Sequence, residues 1–295
     1  MIRHRASALI GQFPSDGPVD LVEQFAYPLP LQVILDLLGV PYEDQPAIKQ
    51  GAEAVAACML SVLPPQKQMK TVHRVLAFER YLTDLIAKRR AEPRDDLISM
   101  LVQSMDSGQA QLSQPELVST LSINLFLAGH ETTVIAISNS LYFLLSNREH
   151  WQALIDNPSL IPHAAEELLR LDPVVLGFFR TTTEPVEVRD VTIPEGSGVM
   201  LLYASANRDA ERFPQPDDYD PHRPNLNDHV AFGYGMHFCL GAYLARMELR
   251  VVLELLTTQL PGLHLVPDQE ITHSTNFTLR SLDHLLATVS AETPD

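Results

Sequence analysis

Phe232-Gly233-Tyr234-Gly235-Met236-His237-Phe238-Cys239-Leu240-Gly241 is the most informative stretch in this chain of 295 residues. Its glycines admit backbone geometries and close approaches that a side chain blocks. Beyond it, Leu240, Leu244, Met247, Val251 and Leu255 recur at helical spacing, so an amphipathic helix is expected with Cys239 at or next to its first turn. Exposed amide N–H groups and the positive end of the helix macrodipole favour a thiolate over a thiol there. A loop that leaves such a thiolate projecting suits a metal ligand.

A lone cysteine in an apolar stretch is ordinarily a buried small hydrophobe, and a pair of glycines ordinarily marks only a turn. The order Phe-Gly-x-Gly-x-His-x-Cys-x-Gly fixes too many positions for either reading. It resembles the cysteine loop of the cytochromes P-450, the haem-thiolate monooxygenases, and meets each fixed position of that family's pattern. The resemblance implies that Cys239 is the iron ligand of haem b, iron protoporphyrin IX. It also implies that Phe232, Gly233 and Gly241 border that cofactor and that His237 is a partner of a haem propionate. A thiolate in that role pushes electron density towards iron and favours O–O cleavage.

Composition fits a globular protein with a substantial core: 45% hydrophobic and 20% charged residues. A net charge of -16 argues against a nucleic-acid-binding surface and against an anionic membrane surface. The two cysteines, Cys58 and Cys239, lie far apart and suggest no disulfide framework, so a reducing cytoplasm is the expected setting. No uninterrupted apolar run reaches the roughly 18 to 20 residues that span a bilayer.

Helical periodicity dominates the first two-thirds. Helices are expected over 27–38, closed by Gly39 and Pro41, and over 43–60, 66–90 and 95–105. The longest runs from Gln114 to Asn147, opened by a Ser113/Glu116 capping box with Pro115 in its first turn. At 1.5 Å per residue it would extend roughly 50 Å, and being apolar on nearly every side from Leu121 to Ala128 it should be buried. Further helices are expected over 149–156 and 162–171. Strand character follows at 186–188, 191–193 and 199–203, then a Pro/Asp/Asn-rich meander over 206–230 and short strands between 263 and 289. The expectation is a mainly α fold with small β-sheets, a single domain over 1–295.

Midway along the long helix stands Ala128-Gly129-His130-Glu131-Thr132-Thr133. Glycine and paired threonines are costly in a helix interior. Gly129 removes a side chain and so opens the backbone to a flat ligand, and the Thr132 hydroxyl is placed to bond the carbonyl four residues earlier. By resemblance this is the family's oxygen-activation motif, with Thr132 and Glu131 delivering protons and Ala128 and Gly129 over the haem; His130 reads as structural. Glu167-Leu168-Leu169-Arg170 alone would be an ordinary i,i+3 pair. Its likeness to the family's Glu-x-x-Arg implies a third member, Arg223, from the meander Phe213-Pro214-x-Pro216-Asp217-x-Tyr219-Asp220-Pro221-x-Arg223. Arg180 resembles the family's second propionate partner, a role that a guanidinium fork suits.

The match starts at a point well inside the family's usual chain, which implies a cytochrome P-450 fold truncated at its N-terminal side by on the order of a hundred residues. The expectation that follows is weak haem retention, a strand near 176–181 or 199–203 left with an open edge, and exposed apolar helix faces. The implied function is a soluble bacterial-type monooxygenase inserting one oxygen atom into a small lipophilic substrate. No GxGxxG motif is present, so electrons are expected from a ferredoxin and its reductase, or a flavodoxin. The alternatives are a haem-poor, inactive remnant of such an enzyme and a peroxygenase-type relative; the Glu131–Thr132 pair argues against the latter. Val174, Val175, Leu176, Phe178 and Phe179, with Asn276, Phe277 and Thr278, are the expected pocket lining.

Overall fold

The computed structural model describes residues 1–60, 63–274 and 278–289, so Asn276 and Phe277 lie outside the described residues. The chain divides within one helix into two compact units, Met1–Val134 and Ile135–Asp295.

The first unit is almost wholly helical. It holds α1 (Ile2–Ile10), the two-residue strand β1 (Val19–Asp20), a π-helical turn at Val22–Ala26, α2 (Pro28–Leu38), a 3-10 turn at Tyr42–Asp44, α3 (Gln45–Leu60), α4 (Pro65–Ala91), α5 (Leu97–Asp106) and α6 (Gln114–Ser119). α1 is not expected from the sequence, because Arg3, His4 and Arg5 interrupt its apolar spacing, yet Ile2, Ala6, Leu9 and Ile10 are buried. α2 ends where expected, because Gly39 takes a left-handed conformation (φ 64°). A side chain at 39 would collide with Asp96, the N-cap of α5, which accepts from the Ser99 N–H at 2.8 Å. Buried Arg89 of α4 ties the corner together by donating to both Asp96 and the Gly39 carbonyl. α3 packs on α4, and both meet the segment that follows α6.

That segment is the long helix. Its capping box is present: the Ser113 hydroxyl accepts from Glu116 N–H at 3.4 Å, and the Glu116 carboxylate accepts from Ser113 N–H at 2.7 Å. From α6 it passes through a π-helical stretch, Thr120–Leu127, into α7 (Ala128–Ser146). The expected single α-helix over 114–147 therefore holds in extent but not in winding. Among the described residues, Gln114–Ser146 is the one helix long and apolar enough to cross a membrane, and 56% of its most apolar window is buried.

The second unit contains α8 (Arg148–Asp156), α9 (Ile161–Leu171), β2 (Phe178–Thr181), β3 (Val186–Val188), β4 (Val191–Ile193), β5 (Gly198–Leu201), α10 (Tyr203–Ala206), α11 (Ala242–Gln259), β6 (Leu263–Leu265) and β7 (Leu286–Val289). β2 pairs antiparallel with β5 (Arg180 opposite Val199), β3 with β4 and β6 with β7. The meander between α10 and α11 contains only short 3-10 turns, at Leu226–Asp228 and Gly235–His237. α11 packs on α9 and α8. Its buried face differs from the expected stripe: Leu249, Val252, Leu253 and Leu256 are buried with Val251, whereas Leu240 and Met247 are exposed.

Candidate functional site

Cys239 lies just before α11, whose N-cap is Gly241. The loop is a tight backbone construction. Gly233 (φ 73°) and Gly235 (φ 67°) occupy the left-handed region that other residues resist. The Gly233 N–H donates to Val230 O at 2.9 Å, Phe238 N–H to Gly235 O at 3.0 Å and Cys239 N–H to Phe232 O at 2.9 Å. That last bond closes the loop on itself and leaves the Cys239 thiol exposed. A first side-chain carbon at 241 would lie 3.9 Å from the sulfur, so glycine keeps one flank of the thiol bare. His237 is exposed in its 3-10 turn, and the rings of Phe232 and Phe238 sit 6.5 Å apart. Among the described residues no three His, Cys, Asp or Glu side chains gather as a metal site. The loop thus offers one exposed sulfur, a donor set suited to an iron whose other ligands come with a macrocycle.

Under this loop lies an ion-pair network on α9. Glu167 and Arg170 are fully buried and bonded through two guanidinium nitrogens, Nε and Nη2, at 2.7 and 2.8 Å. Arg223 joins as expected, its Nε donating to Glu167 Oε1 at 2.9 Å. The two guanidinium groups also bond meander carbonyls: Arg170 to Asn207, Pro216 and Asp218, and Arg223 to Pro214, Gln215 and Asp218. Asp220 N–H completes the carboxylate at 3.0 Å. A segment without periodicity is held in one shape because buried charges demand its carbonyls.

A second network beside it was not legible as function. Glu166 is buried, and accepts from His229 Nε2 at 3.2 Å, from Arg246 Nε at 2.8 and 2.9 Å and from Arg250 Nη2 at 2.8 Å. Burial pushes its carboxyl up, but the hydrogen bonds from His229 and Arg246 outweigh that and hold it at about 2. The available signals were the doublet Glu166-Glu167 and charged residues on the buried side of α11.

In the first unit, the Thr132 hydroxyl donates to Ala128 O at 2.7 Å, the bond anticipated from sequence, and Thr133 repeats it to Gly129 O at 3.3 Å. These follow directly on the π-helical stretch, so backbone winding and side-chain bonding both depart from the regular ladder at one place. Gly129 has a packing reason, since a side-chain carbon there would lie 3.0 Å from Ile34 Cδ1. His130 is buried: its Nε2 lies 3.1 Å from Tyr27 O and its ring meets the Tyr27 ring edge to face at 4.6 Å. Burial lowers its pKa to about 4, so it is neutral at physiological pH. Half-buried Glu131 is raised above the usual carboxylate range by burial and by the charge of Glu53.

Arg180, on β2, donates to the Phe179 carbonyl at 2.8 Å and lies 5.9 Å from the Phe178 ring centre. The expected pocket lining is partly brought together: Leu176 N–H donates to Thr278 O at 3.0 Å and Val175 bridges Leu279. β2 and β5 pair with no further strand among the described residues, and Phe178 and Phe179 are exposed.

The comparisons with known proteins agree with one another. The family model for cytochrome P450 matches residues 53–260. Cytochrome P450 107B1 of Saccharopolyspora erythraea is 41% identical over 258 residues, covering 87% of this chain and 61% of that protein. Vitamin D(3) 25-hydroxylase of Pseudonocardia autotrophica is 40% identical over 286 residues, covering 96% of this chain and 69% of that protein. Among solved structures, cytochrome P450 CREJ superposes with a TM-score of 0.91 at 33% identity, covering 98% of this chain and 73% of that one. P450BioI in complex with a hexadec-9Z-enoic acid ligated acyl carrier protein gives 0.90 at 34% identity, covering 98% and 73%. The chain therefore spans between 61% and 73% of the length of these four proteins.

Proposed function

The chain belongs to the cytochrome P450 family, and from that premise we propose that it acts as a haem-thiolate monooxygenase on a small lipophilic organic molecule. The observation that carries this reading is the Cys239 loop, which closes its own backbone bond to Phe232 and presents a bare thiol. Haem b is the family's cofactor, and when bound it supplies the oxygen chemistry.

The chain's own residues have distinct tasks in this proposal. Cys239 would hold the iron through its sulfur, and Phe232, Gly233 and Gly241 would shape the surface around that sulfur. His237 and Arg180 would bind the two propionates, Arg180 in exchange for its bond to the Phe179 carbonyl. Thr132 holds a proton at Oγ1 in its bond to Ala128 O. Glu131, whose pKa is raised by burial and by the charge of Glu53, replenishes that proton. Ala128 and Gly129 would border the cofactor. The segments 174–179 and 278, mostly apolar, exclude water around the substrate. Electrons come from a separate donor, a ferredoxin with its reductase or a flavodoxin, in a cytoplasmic setting.

The reduced carbon-monoxide difference spectrum of the purified chain tests this. A strongly red-shifted Soret band, lost in Cys239→Ser, is the expected result. A band typical of neutral ligation, or none, overturns it in favour of a haem-poor remnant. Turnover with the electron-donor pair but not with peroxide alone then separates a monooxygenase from a peroxygenase.

A further inference from the structure

We propose that Glu166 is the positioning residue of the Cys239 loop, gripping it from both ends with a single carboxylate. At the front, His229 is buried with Nε2 against Glu166 while its Nδ1 accepts the Ala231 N–H at 3.2 Å. A ring nitrogen that accepts a backbone N–H leaves the proton on Nε2, so His229 donates to the carboxylate. The turn that leads into Phe232 is thereby attached to α9.

At the rear, Arg246 projects from the second turn of α11, the helix the loop runs into. Its Nε meets both carboxylate oxygens, and its guanidinium lies over the Phe232 ring, 4.3 Å from the centroid. Phe232 is the residue whose carbonyl receives the Cys239 N–H. One charged group therefore holds the helix after the cysteine, the ring of the residue that closes the loop, and the histidine that begins it. Arg250, one turn further along α11, fills the remaining acceptor direction. The carboxylate then accepts from three donors, with the Arg246 Nε–H shared between its two oxygens, so neither oxygen is left without a partner. Asn207 adds a bond to Val230 N–H at 2.7 Å and links this network to that of Arg170, which donates to the Asn207 carbonyl.

A fully partnered, buried acceptor of this kind is stiff, because no water replaces a lost partner without leaving a guanidinium or imidazole unpaired. The position of the Cys239 sulfur relative to α9 is then set by Glu166 and not by the loop's glycines, which permit the shape without selecting it. The role of that position in ligating haem iron rests on the function proposed above; the grip itself does not.

Amide hydrogen exchange on the full chain as purified tests the grip without reference to haem. In Glu166→Gln, which keeps shape and loses charge, exchange at the Cys239 and Val230 amides should accelerate at least about tenfold, the scale of losing charge-assisted hydrogen bonds. The Glu167–Arg170–Arg223 region should keep its unaltered protection. Arg246→Lys, which keeps charge but loses the Nε–H bond shared by the two oxygens and the ring contact, should loosen Cys239 while sparing Val230. Loop exchange unchanged in both variants, or exchange accelerated equally throughout the second unit, overturns the proposal. In the haem-loaded chain, Glu166→Gln should shift part of the carbon-monoxide difference band from the thiolate to the neutral-ligand position, and an unshifted band overturns the link to ligation. An unaltered chain with no thiolate band refutes the haem reading and leaves the exchange result to decide the grip.

Discussion

Glu248 is fully buried on α11, and neither carboxylate oxygen has a hydrogen-bond partner among the described residues. Burial pushes its pKa up to about 8. A carboxyl raised in the folded state keeps a proton that the unfolded chain releases. Its effect is absent below the ordinary carboxylate range, and it costs stability progressively as pH rises from there to about 8, by up to about 1.4 kcal/mol per pH unit. Glu248→Gln should abolish that slope: urea midpoints of variant and parent should converge near pH 4.5 and separate, variant higher, by pH 8. Equal pH slopes would refute the assignment. Thr132 carries the other residue-scale prediction. Under the proposed chemistry, Thr132→Ala should continue to consume reductant while product falls and peroxide rises, and Thr132→Ser should restore the coupling. The Thr132–Ala128 bond was legible because spacing alone sets a helical i−4 contact. Glu166, His229 and Glu248 were not, since a charged residue in a list does not reveal whether the fold buries it.

Local rules of helix termination explain most element boundaries. Gly39, Asp96 and the Ser113/Glu116 box sit where capping chemistry requires them. Ser113→Ala should cost about 1 kcal/mol, the ordinary worth of an N-cap, as a lowered denaturation midpoint with an unchanged m-value. α9 should respond far more strongly. Glu167→Gln leaves Arg170 and Arg223 buried without their anion and should cost roughly 3–5 kcal/mol, with proteolysis appearing first in the meander over 206–230. Cleavage elsewhere first would contradict the pinning role. The π-helical winding of Thr120–Leu127 escaped the sequence because an all-apolar segment has no polar face from which to read a period. The buried face of α11 was misplaced for a related reason: leucine and methionine mark both a core stripe and an exposed apolar surface, and Met247 belongs to the latter.

At the scale of the whole molecule, the excess of acidic residues is a long-range term that no single contact reports. A net charge of -16 strains the compact state by self-repulsion. Melting temperature should therefore rise as salt is added from low ionic strength and level off near physiological salt, where the screening length is about 8 Å. A falling melting temperature would mean that exposed ion pairs outweigh the repulsion, against their usual small worth. The buried pairs Glu167–Arg170 and Arg89–Asp96 lie beyond the reach of salt and should hold at either extreme. The sequence alone determined the family, most helix boundaries and the partnership of Glu167, Arg170 and Arg223. Those follow from local spacing, from capping chemistry and from a motif of fixed residues. Only the tertiary structure decided which carboxylates are buried, that Glu166 meets both His229 and Arg246, and that a side chain at Gly129 would crowd Ile34. Burial and electrostatic partnership depend on which segments the fold brings together across tens of residues, and a linear pattern does not encode that proximity.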